Sequence, residues 1–260
     1  MPFAYDPARR AFLTSAIGLT VLSCYHPSQA LADAISPDIQ SYVVKDLQDF
    51  QAYIHLLRYN AEAGRRINKD FGLIYEWMQK AQGDLLVRYK EPDMFRLDGR
   101  FGAQSGVFII NGTTQIVRLS IGFKDVRDLG KSPGKRKTLL DMGLISPYYL
   151  SYTEAEFQGV RPFKGIPCAV FRISYRDKNL DTSFRLVWID PKTHVTLKRE
   201  EYSQEGKLLS IWYYKNIKKI TSELYMPTEI EVDDNQGVLA GATTYRDIKV
   251  NIPMPDSLFK

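Results

Sequence analysis

Residues 84–90, Asp-Leu-Leu-Val-Arg-Tyr-Lys, decide how the chain folds. Leu85, Val87 and Tyr89 fall on one side, while Asp84, Arg88 and Lys90 fall on the other. That period of two gives a strand one dry and one wet face, the mark of an antiparallel sheet. Working outward, the Glu91-Pro92-Asp93 turn leads to Phe95 and Leu97, which continue the alternation. Asn111-Gly112 separates Val107–Ile110 from Ile116–Ile121 and predicts a tight hairpin. Further along, Phe171, Ile173 and Tyr175 alternate with Arg172 and Ser174, and Asp190-Pro191-Lys192-Thr193 turns the chain between two apolar runs. Glu205-Gly206 and Asn235-Gln236-Gly237 mark later turns, and Met226, Thr228, Ile230 and Val232 alternate with Glu229, Glu231 and Asp233. Spacing of this kind predicts a meander of about ten short strands.

Upstream of residue 83 the pattern differs. Ile39, Val43, Leu47, Phe50, Ile54 and Leu57 recur at three and four, after Ser36-Pro37, and predict an amphipathic helix over 33–60. The stretch 61–80 is ambiguous: Phe71 to Met78 fits either strand or helix, with strand the preferred reading. Residues 123–153 interrupt the meander with a charged loop, and Thr138-Leu139-Leu140-Asp141-Met142-Gly143-Leu144 predicts a short helix. The fold class is therefore mainly β with some α. A curved antiparallel sheet forms an unclosed half-barrel, with an N-terminal helix and a short lid helix over its concave face.

The first 32 residues read as a signal peptide. Arg9 and Arg10 precede an apolar run, Ala11 to Cys24, and Ala30-Leu31-Ala32 supplies a small-x-small cleavage site. The run is too short for a membrane helix, which needs about 20 residues. Ala8-Arg9-Arg10-Ala11-Phe12-Leu13 also resembles a twin-arginine signal, and Val21-Leu22-Ser23-Cys24 resembles a lipobox that would place a lipid on Cys24. A periplasmic location follows, with residues 33–260 as a single domain. Two arginines and one aspartate in the leader account for one unit of the +5 net charge, which leaves +4 on the exported part. That mild excess suits contact with anionic lipid, and export argues against nucleic acid as a partner. Once the leader is removed only Cys168 remains, so no internal disulfide or thiolate metal cluster can form.

No catalytic constellation emerges, and no cofactor or metal is called for. His55 and His194 lie in no metal-binding spacing. Gly130-Lys131-Ser132 lacks the first glycine of a phosphate-binding loop, because position 125 is Asp. The pairs Glu200-Glu201 and Asp233-Asp234 read as solvated charge, since neighbours in a strand point to opposite faces. What remains is apolar surface. A half-barrel with one helix leaves concave area that suits an apolar ligand; the same residues equally describe a filled core.

At this point a family comes into view. Gln82-Gly83-Asp84-Leu85-Leu86-Val87-Arg88, followed by Pro92-Asp93-Met94-Phe95-Arg96-Leu97, resembles the Q-G-D-L-x-V-x … P-x-x-F-x-W region of the periplasmic lipoprotein carrier LolA. The Val107–Leu119 hairpin is similar to the next pair of strands in that family. Trp188-Ile189-Asp190-Pro191, Lys198-Arg199-Glu200 and Gly206-Lys207-Leu208 resemble its outer-membrane lipoprotein-sorting branch, and Asn251–Phe259 resembles closing segments of the superfamily. The resemblance implies an unclosed barrel with a helical lid whose cavity shelters acyl chains in transit. One position departs. The carriers place an Arg before the Pro of a K-R-P motif, and this chain has Glu91 there, preceded by Lys90.

The expected function is a non-enzymatic carrier, a monomer that binds an acylated lipoprotein or lipid and exchanges it with an inner- or outer-membrane receptor. Leu85, Val87, Phe95, Leu97, Phe171, Ile173 and Trp188 are expected to line the cavity, with Met142 and Leu144 on the lid. Lys131, Lys135, Arg136 and Lys137 form a basic loop suited to docking on a membrane or receptor. The alternative is a periplasmic sensor or interaction module of an envelope complex, with the same fold and no lipid cargo.

Overall fold

The computed structural model describes residues 35–260; the expected signal peptide, its cleavage site and Cys24 lie outside the described residues. Thirteen antiparallel strands form one sheet. They are β1 (Asp49–Tyr59), β2 (Leu85–Lys90), β3 (Met94–Phe101), β4 (Gln104–Asn111), β5 (Thr114–Leu119), β6 (Lys124–Asp128), β7 (Thr153–Phe163), β8 (Ile166–Tyr175), β9 (Phe184–Ile189), β10 (Thr196–Tyr202), β11 (Leu208–Lys219), β12 (Tyr225–Asp234) and β13 (Leu239–Val250). Spatial order runs β6-β5-β4-β3-β2-β1-β13-β12-β11-β10-β9-β8-β7. The edges β6 and β7 do not pair with each other, so the sheet is an unclosed half-barrel.

That order dictates the lid. The first strands walk outward from β1 to one edge, and the next strand, β7, starts at the opposite edge. The chain between them has to cross the whole inner face. It does so through 3₁₀ turns at Pro133–Lys135 and Leu139–Met142 and the short helix α3 (Pro147–Tyr152). The second turn carries the expected local signals. Thr138 and Asp141 form a reciprocal capping box, and Gly143 ends the turn with φ 76°.

Two expectations upstream of residue 83 are corrected. Of the expected helix over 33–60, Ile39–Tyr42 forms a single 3₁₀ turn, and residues 49–59 are β1, the central strand, paired with both β2 and β13. Phe50, Ala52 and Ile54 point inward at period two and are 1%, 0% and 4% exposed. The alanine hides this alternation, while Leu47, Phe50, Ile54 and Leu57 satisfy a helical spacing by coincidence; pairing on both sides decides the outcome. Conversely, residues 61–80 are helical, not strand: α1 (Ala61–Ile67) and α2 (Lys69–Lys80). Asn60 and Asn68 cap them, with the Asn68 side chain accepting from Phe71 N at 2.8 Å. Asp70 in the first turn of α2 and Lys80 in its last suit the helix dipole. The helices the sheet needs are thus present, displaced along the chain.

Smaller differences follow from register. Asn111 is the last residue of β4 and pairs with Thr114, so the hairpin turn is Gly112-Thr113, with Gly112 at φ 59°. Asp234 is not solvated: it is fully buried, caps the turn after β12 and accepts from Arg66 Nε of α1 at 2.6 Å. The last residues fold back over the outer face, where Met254 and Phe259 pack with Ile109 and Ile116.

Candidate functional site

Cross-strand pairing aligns inner-face side chains into rows. Ala52, Val87, Leu97, Phe108 and Val117 lie directly opposite one another across β1 to β5. A parallel row runs from Phe50 through Tyr89 to Phe95. Together they make an apolar floor. Phe71, Ile74, Trp77 and Met78 of α2 roof it from one side, and the crossing segment 133–142 roofs it from the other. Between floor and roof lies an open-ended cavity of about 850 Å³, within the roughly 300–1,000 Å³ range of small-molecule sites.

One wall differs in chemistry. On β9 and β10 the inner face carries Arg185, Arg199 and Glu201, in register with Ile173 and Phe171 of β8. Arg199 is 2% exposed; its Nη1 donates to the Leu140 carbonyl at 3.1 Å, and its guanidinium stacks 4.3 Å over Trp212. Arg185 Nη1 donates to the hydroxyls of Tyr175 at 2.9 Å and Tyr149 at 3.2 Å. The Glu201 carboxylate lies between them, 3.3 Å from Arg185 and 3.5 Å from Arg199. Burial pushes this carboxyl up, but the two guanidinium groups outweigh burial and hold it at about 2. The wall is therefore a permanently charged cluster at the end of an apolar trough.

The expected site residues divide accordingly. Val87, Phe95, Leu97 and Met142 line the cavity. Leu85 faces the same way but is 1% exposed, wedged over Gly99, where a Cβ would collide with its δ-methyl. Phe171 and Ile173 are on the inner face too, yet Ile39, Tyr42, Ile145 and Tyr149 cover them in a second apolar cluster. The placement of Trp188 is corrected: it alternates with Arg185 and Val187, pairs with Val170 and Lys198, and so lies on the outer face, with Lys198 Nζ 4.4 Å over its ring. Leu144 lies on the crossing segment, between the Leu139–Met142 turn and α3, and is fully buried. In the basic loop, Lys131 and Lys135 are exposed and Arg136 and Lys137 are half-buried; Lys135, Arg136 and Lys137 border the cavity. Lys135 pairs with Asp70 of α2 at 3.0 Å, strapping the two halves of the roof together.

Sequence reasoning missed Arg185, Arg199 and Glu201. The available signal was that each sits at a period-two position shared with apolar neighbours, Val187 and Leu197. Among the described residues no group of three His, Cys, Asp or Glu is placed to hold a metal ion, and no helix is long and apolar enough to cross a membrane.

Glu91 occupies the position where the resemblance leads one to expect an arginine. It is half-buried, with the Tyr89 hydroxyl 3.0 Å from its Oε1. Burial raises its carboxyl to about 7, against hydrogen bonds from Tyr89 and Ser146 and with help from nearby Asp93. Because the folded value is above the ordinary 4.5, the stabilisation is complete below about pH 4.5 and is lost as pH rises through about 7. Glu91→Gln is expected to leave stability unchanged at pH 4 and raise it by roughly 2–3 kcal/mol at pH 8. Urea titrations at the two pH values check this; equal effects at both would show that Glu91 ionises normally.

Comparison with known proteins agrees with this architecture. A family model described as "Uncharacterized protein" matches residues 137–260. No curated protein matches the sequence. Among solved structures, the chain is similar to a domain from Vibrio parahaemolyticus whose name places it with outer membrane lipoprotein-sorting proteins, at 15% identity, TM-score 0.57, covering 85% of this chain and 93% of that one. It is also similar to a LolA superfamily protein from Nitrosomonas europaea, at 16% identity, TM-score 0.55, covering 89% and 96%. The chain therefore has the fold of the LolA superfamily.

Proposed function

We propose that this LolA-like fold serves as a non-enzymatic periplasmic carrier that shelters the acyl chains of a lipoprotein or lipid in its cavity. One observation supports the reading: the row Val87–Leu97–Phe108–Val117, continuous with the core, borders a cavity of about 850 Å³. Each methylene taken from water into such a trough contributes about 0.8 kcal/mol, so a single acyl chain suffices for useful affinity. The roof suits loading and release. It is a crossing segment held to α2 by the exposed Lys135–Asp70 pair, and exposed pairs of this kind contribute only about 0–1 kcal/mol. The basic loop with Lys131 at its tip then provides contact with an anionic membrane or a receptor.

Native mass spectrometry of the protein purified from its own envelope fraction tests the reading. A co-purifying lipid or acylated protein is expected. A fluorescent fatty acid should bind the emptied protein, and Phe95→Asp should weaken it by at least about tenfold, because an ionised carboxylate then lines the trough. Phe95 is only half-buried, so circular dichroism is expected to stay unchanged. Undiminished probe binding by a folded Phe95→Asp protein would remove the trough from consideration.

A further inference from the structure

The apolar floor explains a tail but not the charged wall. Arg199 is 2% exposed, lines the cavity, and leaves two buried guanidinium nitrogens, Nε and Nη2, without a hydrogen-bond partner among the described residues. Arg136, on the roof directly bordering the same space, leaves its buried Nε in the same condition. Buried donors of this kind are rare because each forfeits its hydration. The charge is unbalanced as well. With Lys135 matched by Asp70, Arg136, Lys137, Arg185 and Arg199 line the wall and roof there with Asp141 and Glu201, and buried Asp181 abuts the roof at Gly134. Lys137 and Arg199 both lie 3.7 Å from Asp141, and Glu201 is already shared by two arginines.

We infer that this end of the cavity is a head-group site for an oxyanion, a phosphate or carboxylate, borne by the amphiphile whose chain lies along the Val87–Val117 floor. The inference rests on the carrier reading and adds to it the class of cargo. Arg199 and Arg185 supply planar guanidinium donors suited to an oxyanion. Tyr149 and Tyr175, already hydrogen-bonded to Arg185, hold it in place. Trp212, under the Arg199 guanidinium, fixes the second arginine. Arg136 and Lys137 descend from above on the crossing segment, so a bound anion would tie the roof to the wall. The amphipathic division of the cavity also sets orientation: the head goes towards β9 and β10, the tail towards β3 to β5.

Chain-matched probes test this on the full-length mature protein. Affinities for dodecyl phosphate, dodecanol and inorganic phosphate are measured by displacement of the fluorescent fatty acid and by calorimetry. Dodecyl phosphate is expected to bind at least about tenfold more tightly than dodecanol. In Arg199→Met, which keeps an unbranched apolar stem but no guanidinium, that preference should collapse while dodecanol affinity remains. Lys137→Gln, at a half-exposed site, should lower the preference partially and serves as the second variant should Arg199→Met fail to fold. Equal binding of the phosphate and the alcohol overturns the head-group site and leaves the carrier reading standing. If neither amphiphile binds, both fall. Inorganic phosphate binding as tightly as dodecyl phosphate would make this a free-anion site and overturn the assignment to a lipid head.

Discussion

Replacing Glu201 by glutamine is expected to destabilise the protein by about 3–5 kcal/mol, the usual cost of removing one member of a buried ion cluster. The Glu201 side chain is 22% exposed, Arg185 13% and Arg199 2%, so water does little to screen the two guanidinium groups left behind. Glutamine fits the space and can still accept a hydrogen bond, yet it carries no charge to set against them. The pH dependence gives an independent measure. The folded-state value of about 2 lies below the ordinary 4.5, so the stabilisation is complete above about pH 5 and is lost as acid is added between 4.5 and 2. A shift of that size corresponds to about 3 kcal/mol. The wild type should lose stability steeply across this window, and Glu201→Gln should be flatter there. A variant with wild-type stability at pH 7 would mean that water or another group already neutralises the arginines.

This cluster also shows what the sequence could and could not disclose. Alternation at Leu85, Val87 and Tyr89 reported the face of β2 correctly because one side of the strand meets apolar packing and the other meets solvent. The same reasoning extended through Phe95 and Leu97. It failed where the inner face turns polar: Glu200-Glu201 looks like two solvated charges, whereas Glu201 enters the arginine cluster and Glu200 pairs with Lys198 at 2.6 Å outside. Trp188 is expected to face inward with the other apolar strand residues, but its partners across the strands, Val170 and Lys198, place it outside. Period two says which residues share a face; it does not say which face is concave. The order of strands is similarly hidden. Nothing local in residues 49–59 announces that they will sit between β2 and β13, a pairing across nearly the whole chain. The LolA-type motifs conveyed the overall shape, and the misplaced helix shows where resemblance did not reach.

Gly241→Ala is expected to cost roughly 3 kcal/mol, although the substitution adds one methyl group and improves the strand propensity of the site. Gly241 lies in β13 opposite Val232 and Tyr59, with extended backbone that alanine adopts without strain. The cost comes from α2. Its Tyr75 ring rests flat on the glycine, so an added Cβ would collide with Cε1 and sit 2.7 Å from both Cδ1 and Cζ. The ring has no easy escape: it is 5% exposed and stacks with Phe71 at 4.3 Å and Tyr59 at 5.6 Å. Relief must therefore come from lifting the helix off the sheet. Because Phe71, Ile74, Trp77 and Met78 of that helix form half the cavity roof, the same displacement should open the trough. Thermal unfolding is expected to move down while exchange of a bound fatty-acid probe becomes faster. A stability loss without faster exchange would mean that the sheet yields instead of α2, and that ligand entry depends on the crossing segment alone.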